Sequence, residues 1–88
     1  MKRNDIAEEV ILGSKEIMRK AKEESGTTQK ALAERLNMLQ TSVSAGFSRE
    51  HISLELFCKY MDGMGYAVAV IGKRDGAVHW VVDPDGKN

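Results

Sequence analysis

The sequence has little of what covalent staples, metal clusters or membrane spans require. Its 88 residues hold one cysteine, one proline, two histidines, one tryptophan, two tyrosines and two phenylalanines. A lone thiol, Cys58, excludes an internal disulfide and a multi-thiolate metal site, and it fits a reducing, cytoplasmic compartment. His51 and His79 lie far apart and add no ligand cluster, so no cofactor or metal is expected. No apolar run approaches the ~18 residues of a membrane span. The paired acids in Ile6-Ala7-Glu8-Glu9 sit where a secretory signal needs its apolar stretch. No nucleophile–base pair or carboxylate pair occurs at useful spacing, so the expectation is a non-enzyme. Charge of one sign is missing too. The 13 Lys and Arg cancel the 13 Asp and Glu, which argues against a uniformly basic nucleic-acid coat or a membrane-surface peptide.

What is present is pattern, and the length allows one domain. Ile6, Val10, Ile17 and Ala21 form a helical stripe within Asp5–Glu24, with Asn4 or Asp5 as N-cap and Gly26 as a left-handed stop. Gly13-Ser14 interrupts that stripe, which allows a bend or a break into two helices. Six cations and six acids between Lys2 and Glu24 read as a solvated face. Thr27-Thr28 then caps a short helix from Gln29 to about Leu36, whose apolar side is Ala31, Leu32 and Leu36. Asn37 suits the left-handed stop. A second short helix spans roughly Gln40 to Phe47, followed by a polar loop, Ser48-Arg49-Glu50-His51. Ser53 caps a further helix carrying Leu54, Phe57, Cys58, Met61 and Met64, and Gly65 closes it. Phe47, Phe57, Met61 and Met64 are expected in the core, with Cys58 as a small buried hydrophobe. Tyr60 and Tyr66 call for no special role.

The period changes after Gly65. Tyr66–Gly72 and Ala77–Asp83 are rich in Val, Ile and aromatics around Lys73-Arg74-Asp75-Gly76, which is a hairpin signal. A three-residue loop with Gly76 left-handed would put Val68, Val70, Val78, Trp80 and Val82 on one face. Ala69, Ile71, His79 and Val81 would then share the other. Both faces are apolar, and an isolated hairpin is marginal in water, so it should pack on the helices, pair with another chain, or do both. Asp83–Asn88 reads as a frayed tail. The organisation expected is a mostly α domain of four or five helices over residues 1–65, a C-terminal β-hairpin over 66–83, and a tail over 84–88.

The stretch Thr28 to Ser44 carries the functional signal. It encodes two short helices joined by a tight turn, with Ala33 where their axes approach, Asn37 in the turn and Val43 in the angle between them. That is the arrangement of a helix-turn-helix. The free start of its second helix shows Gln40, Thr41, Ser42 and Ser44, short neutral groups suited to base edges in a major groove.

At these residues the sequence resembles the Cro/repressor (XRE) type of helix-turn-helix transcription regulators. The resemblance runs from Ile17 to about Val70, on Thr28-Gln29, Leu32-Ala33, Met38, Gln40, Val43-Ser44, Phe47, Ser53-Leu54 and Met64-Gly65-Tyr66. It implies a lambda-repressor-like DNA-binding domain whose recognition helix lies at about residues 40–47. In the family, the glutamine opening the first motif helix touches a phosphate and braces the glutamine opening the recognition helix. Gln29 and Gln40, 11 residues apart, take those roles. Thr41, Ser42 and Ser44 match base-reading positions, Arg49 falls in a backbone-contacting loop, and Thr28 and Lys30 complete the DNA-facing set. Lys30 and Arg35 are candidate phosphate contacts.

Three departures qualify the transfer. Asn37 replaces the usual turn glycine. Gly46 stands where the family carries a bulky side chain, at a helix cost of ~1 kcal/mol that points to fraying. No Lys or Arg lies between Gln40 and Phe47, so bidentate guanine readout is absent and an A·T-leaning target is expected. The expectation is a repressor-like homodimer binding two half-sites of double-stranded DNA, with Val68, Val70, Val78, Trp80 and Val82 as the dimer device. A prophage setting fits. Two alternatives stay open: an antitoxin that also binds a partner toxin, and a protein-interaction adaptor on the same fold without DNA binding, which the zero net charge favours.

Overall fold

Gly13 has extended backbone (φ −73°, ψ 166°) and caps α1 (Ser14–Ser25), the first described helix, in a computed structural model that describes residues 13–85. The Gly13-Ser14 interruption is therefore a helix start. Ile6, Val10 and the caps Asn4 and Asp5 lie outside the described residues. α1 turns its Met18 and Ala21 inward and ends at left-handed Gly26, as the sequence predicts. Met18, absent from the expected stripe, is almost wholly buried.

The next two helices form where their caps place them. Thr28 accepts a hydrogen bond from the Ala31 N–H (3.0 Å) and so starts α2 (Gln29–Leu36). Asn37 is left-handed (φ 57°, ψ 47°) and returns its own N–H to the carbonyls of Ala33 and Glu34. Met38 and Leu39 complete the turn into α3 (Gln40–Ser48). Ser53 caps α4 (Leu54–Gly63) by accepting from the Leu56 N–H (3.1 Å). Beyond α4, the Gly65 N–H reaches Asp62 O and the Tyr66 N–H reaches Met61 O, which closes the helix.

The core lies where the four described helices meet. Tyr60, Met18, Leu32 and Val43 are fully buried, with Ala33, Met61 and Met64 beside them. Phe47, Phe57, Ile17, Leu36 and Ile52 are half-buried around this centre, while Leu54 is exposed. α1 and α2 each pack on both α3 and α4, whereas the backbones of α3 and α4 stay apart. Tyr60 bridges that gap.

β1 (Ala69–Ile71) and β2 (Val78–Val81) form an antiparallel pair. Val70 faces Trp80 and Ala69 faces Val81, and the Val82 N–H donates to Val68 O at 2.7 Å. A bulge then shifts the register, so that Ile71 faces Val78. The turn differs from the three-residue expectation. The Gly72 N–H bonds Ala77 O and the Gly76 N–H bonds Gly72 O, so four residues, Lys73 to Gly76, form the loop. Gly76 is left-handed (φ 67°), a conformation glycine adopts without steric cost. Asp75 fixes the loop by accepting from the Ala77 N–H (3.1 Å), a bond that holds its carboxyl below the usual carboxylate range.

Among the described residues, neither strand lies against a helix, and only the base of the hairpin is seated on the core. Val68 packs on the edge of the core, and Val81, Val82 and Pro84 border a recess of about 170 Å³ beside Cys58 and Asp62 of α4. The start of the expected frayed tail is an ordered turn, with the Asp85 N–H donating to Asp83 Oδ1 (2.9 Å). Among the described residues, no helix is long and apolar enough to cross a membrane.

Candidate nucleic-acid interface

The motif geometry starts from two small buried residues. Ala33 of α2 and Val43 of α3 are 5% and 0% exposed, which lets the helices approach and fixes the rotation of α3. With Val43 pointing inward, Gln40, Thr41 and Ser42 are exposed on the first turn of α3. Thr28 and Lys30 are exposed at the start of α2, with Gln29 half-buried between them. Arg49 is exposed where α3 ends. The first-turn residues offer short neutral donors and acceptors, chemistry that can match the edges of bases.

Two of the residues relate differently from the expectation. Among the described residues no hydrogen bond joins Gln29 to Gln40. Instead, the Ser44 hydroxyl donates to Gln29 Oε1, and both side chains are half-buried. Ser44 is thus drawn towards α2 rather than left on the open face with Gln40, Thr41 and Ser42. Arg35 points away from the motif face, because its guanidinium donates to Gly63 O (2.5 Å) at the end of α4.

Gly46 is explained by Tyr60. A Cβ on Gly46 would lie 2.1 Å from the phenol oxygen and 2.6 Å from the ring carbon that bears it. The bulky group expected on α3 is supplied from α4 instead, and α3 runs unfrayed through Gly46 to Ser48. The Tyr60 hydroxyl donates to Val43 O at 3.0 Å, with Ser42 O at 3.3 Å, and its ring tilts against Phe47 at a centroid distance of 5.3 Å. Burial pushes the Tyr60 phenol up, and the nearby Arg49 charge only partly offsets this.

Sequence reasoning gave no role to Leu39, which is 72% exposed at the N-cap of α3. The signal was available: Leu stands where Ser, Thr, Asp or Asn normally caps. An apolar side chain at this point can contact a thymine methyl group.

The charges near the motif divide in two. Lys15 pairs with Glu50 (3.5 Å), and Arg19 pairs with Glu23 (2.6 Å) and Glu16. Lys30 and Arg49 have no ion pair among the described residues. An open recess of about 490 Å³ adjoins Gln29, and the cations lining it include Lys15 and Arg19, already engaged by acids. No group of three or more His, Cys, Asp or Glu able to hold a metal occurs among the described residues.

Among the described residues, the hairpin carries the largest apolar exposure. Val70, Ile71, Val78, Trp80 and Val81 are 47%, 41%, 60%, 69% and 61% exposed. Val68 and Val82 are half-buried at its base. The bulge corrects the expected face: Val78 stands opposite Ile71, so it joins Ala69 and Val81, while Val68, Val70, Trp80 and Val82 remain together.

Together the elements define a small, mostly helical domain with a two-stranded antiparallel hairpin. Set against known protein families, curated proteins and solved structures, the chain matches none.

Proposed function

We propose that this chain is a sequence-specific DNA-binding transcription regulator of the Cro/repressor type that acts as a homodimer. The observation that carries the reading is the exposed first turn of α3. Gln40, Thr41 and Ser42 stand on a helix whose rotation is locked by buried Val43, with Gln29 beside them at the start of α2. α3 enters the major groove, its polar first turn reads base edges, and Leu39 adds an apolar contact suited to thymine. Lys30 and Arg49 meet phosphates.

One short recognition helix covers only a few base pairs, so specificity requires a second half-site about 34 Å away. The hairpin supplies the dimer contact. Both of its faces are apolar, and among the described residues neither strand is covered by a helix and each outer edge of the two-stranded sheet is left for a second copy to match. Selection of bound sequences from a random duplex pool tests the reading. An enriched site with two-fold symmetry and A·T-rich half-sites is expected. Recovery of no enriched sequence would favour the adaptor alternative.

A further inference from the structure

The bond between Ser44 and Gln29 divides the residues of the motif by task. A serine hydroxyl has one hydrogen, and Ser44 spends it on Gln29 Oε1. The glutamine amide has two ends, an acceptor oxygen and an NH₂ that donates twice. Left free, either end could face outward. An outward oxygen would repel a phosphate, whereas an outward NH₂ would bind it. With Oε1 held by Ser44, the two Nε2 hydrogens are the end left to an outside acceptor. Gln29 is also the first residue of α2, where the helix field favours an anion. Ser44 follows Gln40 by one turn on the same helix face, and it is half-buried where Gln40, Thr41 and Ser42 are exposed.

From this arrangement we infer that Ser44 is a positioning residue rather than a base reader: it fixes the Gln29 amide so that its NH₂ clamps a DNA phosphate. The inference rests on the DNA-binding reading and assigns a task within it. Base readout then falls to Gln40, Thr41 and Ser42, with Leu39 beside them. Because a phosphate contact carries no sequence information, losing the Ser44 bond weakens every duplex alike.

The experiment measures the affinity of the full chain for a short random-sequence duplex at low salt. It compares the parent with Ser44→Ala, Ser44→Thr, Gln29→Ala and the double variant, and each variant's thermal midpoint is checked. Gln29→Ala is expected to weaken binding about tenfold per protomer, the size of one hydrogen bond to a charged group, and so about a hundredfold where both protomers of the dimer engage the duplex. Ser44→Ala should lose most of that factor, and Ser44→Thr, which keeps the hydroxyl, should recover it. The double variant should be no weaker than Gln29→Ala alone. Sites selected by Ser44→Ala from a random pool should match the parent's. Additive losses, failure of threonine to rescue, or a changed base preference at one position would each overturn the positioning role while leaving DNA binding intact. A parent chain that binds no duplex would overturn both.

Discussion

Tyr60 and Gly46 are a matched pair: the phenol fills the space that a side chain on Gly46 would need. The phenol is completely buried, and its hydroxyl spans the space between α4 and α3 to reach the Val43 carbonyl. Glycine in a helix normally costs ~1 kcal/mol against alanine. Here alanine would drive a methyl group into the phenol, and overpacking of that kind typically costs 1–3 kcal/mol, about or above the propensity gain. Gly46→Ala is therefore expected to bring no stabilisation and to destabilise the fold by up to about 2 kcal/mol in urea denaturation. A stabilised variant would mean that the ring does not occupy this space. Tyr60→Phe keeps the ring and removes the hydroxyl, leaving two carbonyls without that donor, and should cost about 1 kcal/mol.

The elements differ in how far each can stand alone. The helices bury their own apolar faces, whereas the hairpin buries little beyond Val68 and Val82. Five of the seven large hydrophobic residues that are exposed among the described residues belong to it, which is why the proposed dimer contact is assigned to it. Trp80→Lys should give a monomer in sedimentation, with its helical content and thermal transition retained, since Trp80 contributes nothing to the helical core. A lysine variant that still sediments as a dimer would place the dimer contact elsewhere.

Caps and left-handed positions at this scale were legible in sequence because their chemistry is local, whereas the length of the hairpin loop was not. Thr28, Ser53, Asn37, Gly26 and Gly76 act through their own backbone or that of residues close by in the chain. Three features were not legible because they depend on distant partners. The bulge that moves Val78 to the other face follows from strand register, and the role of Gly46 depends on Tyr60, 14 residues on. The Ser44–Gln29 bond likewise requires α3 to lie against α2.

The whole molecule carries no net charge, and the arrangement of that charge matters more than its sum. Arg19 and Lys15 on α1 are matched by acids, so they add little attraction for a polyanion. Lys30 and Arg49, at the two ends of the motif, have no ion-pair partner among the described residues, and a dimer doubles them to four. Four phosphates neutralised predict a slope of about −3.6 for log K against log salt concentration on duplex DNA. On the proposed function, the affinity for unselected sequence is expected to be weak, with neutral base contacts and dimerisation supplying most of the discrimination.

Binding of the parent chain to duplex DNA, measured as affinity across a series of salt concentrations, tests this account most directly. The prediction is binding that weakens with salt at a slope of about −3.6, and a shallower slope when Lys30 and Arg49 are both replaced by alanine. Absence of binding at low salt, or an affinity indifferent to salt, would contradict the account.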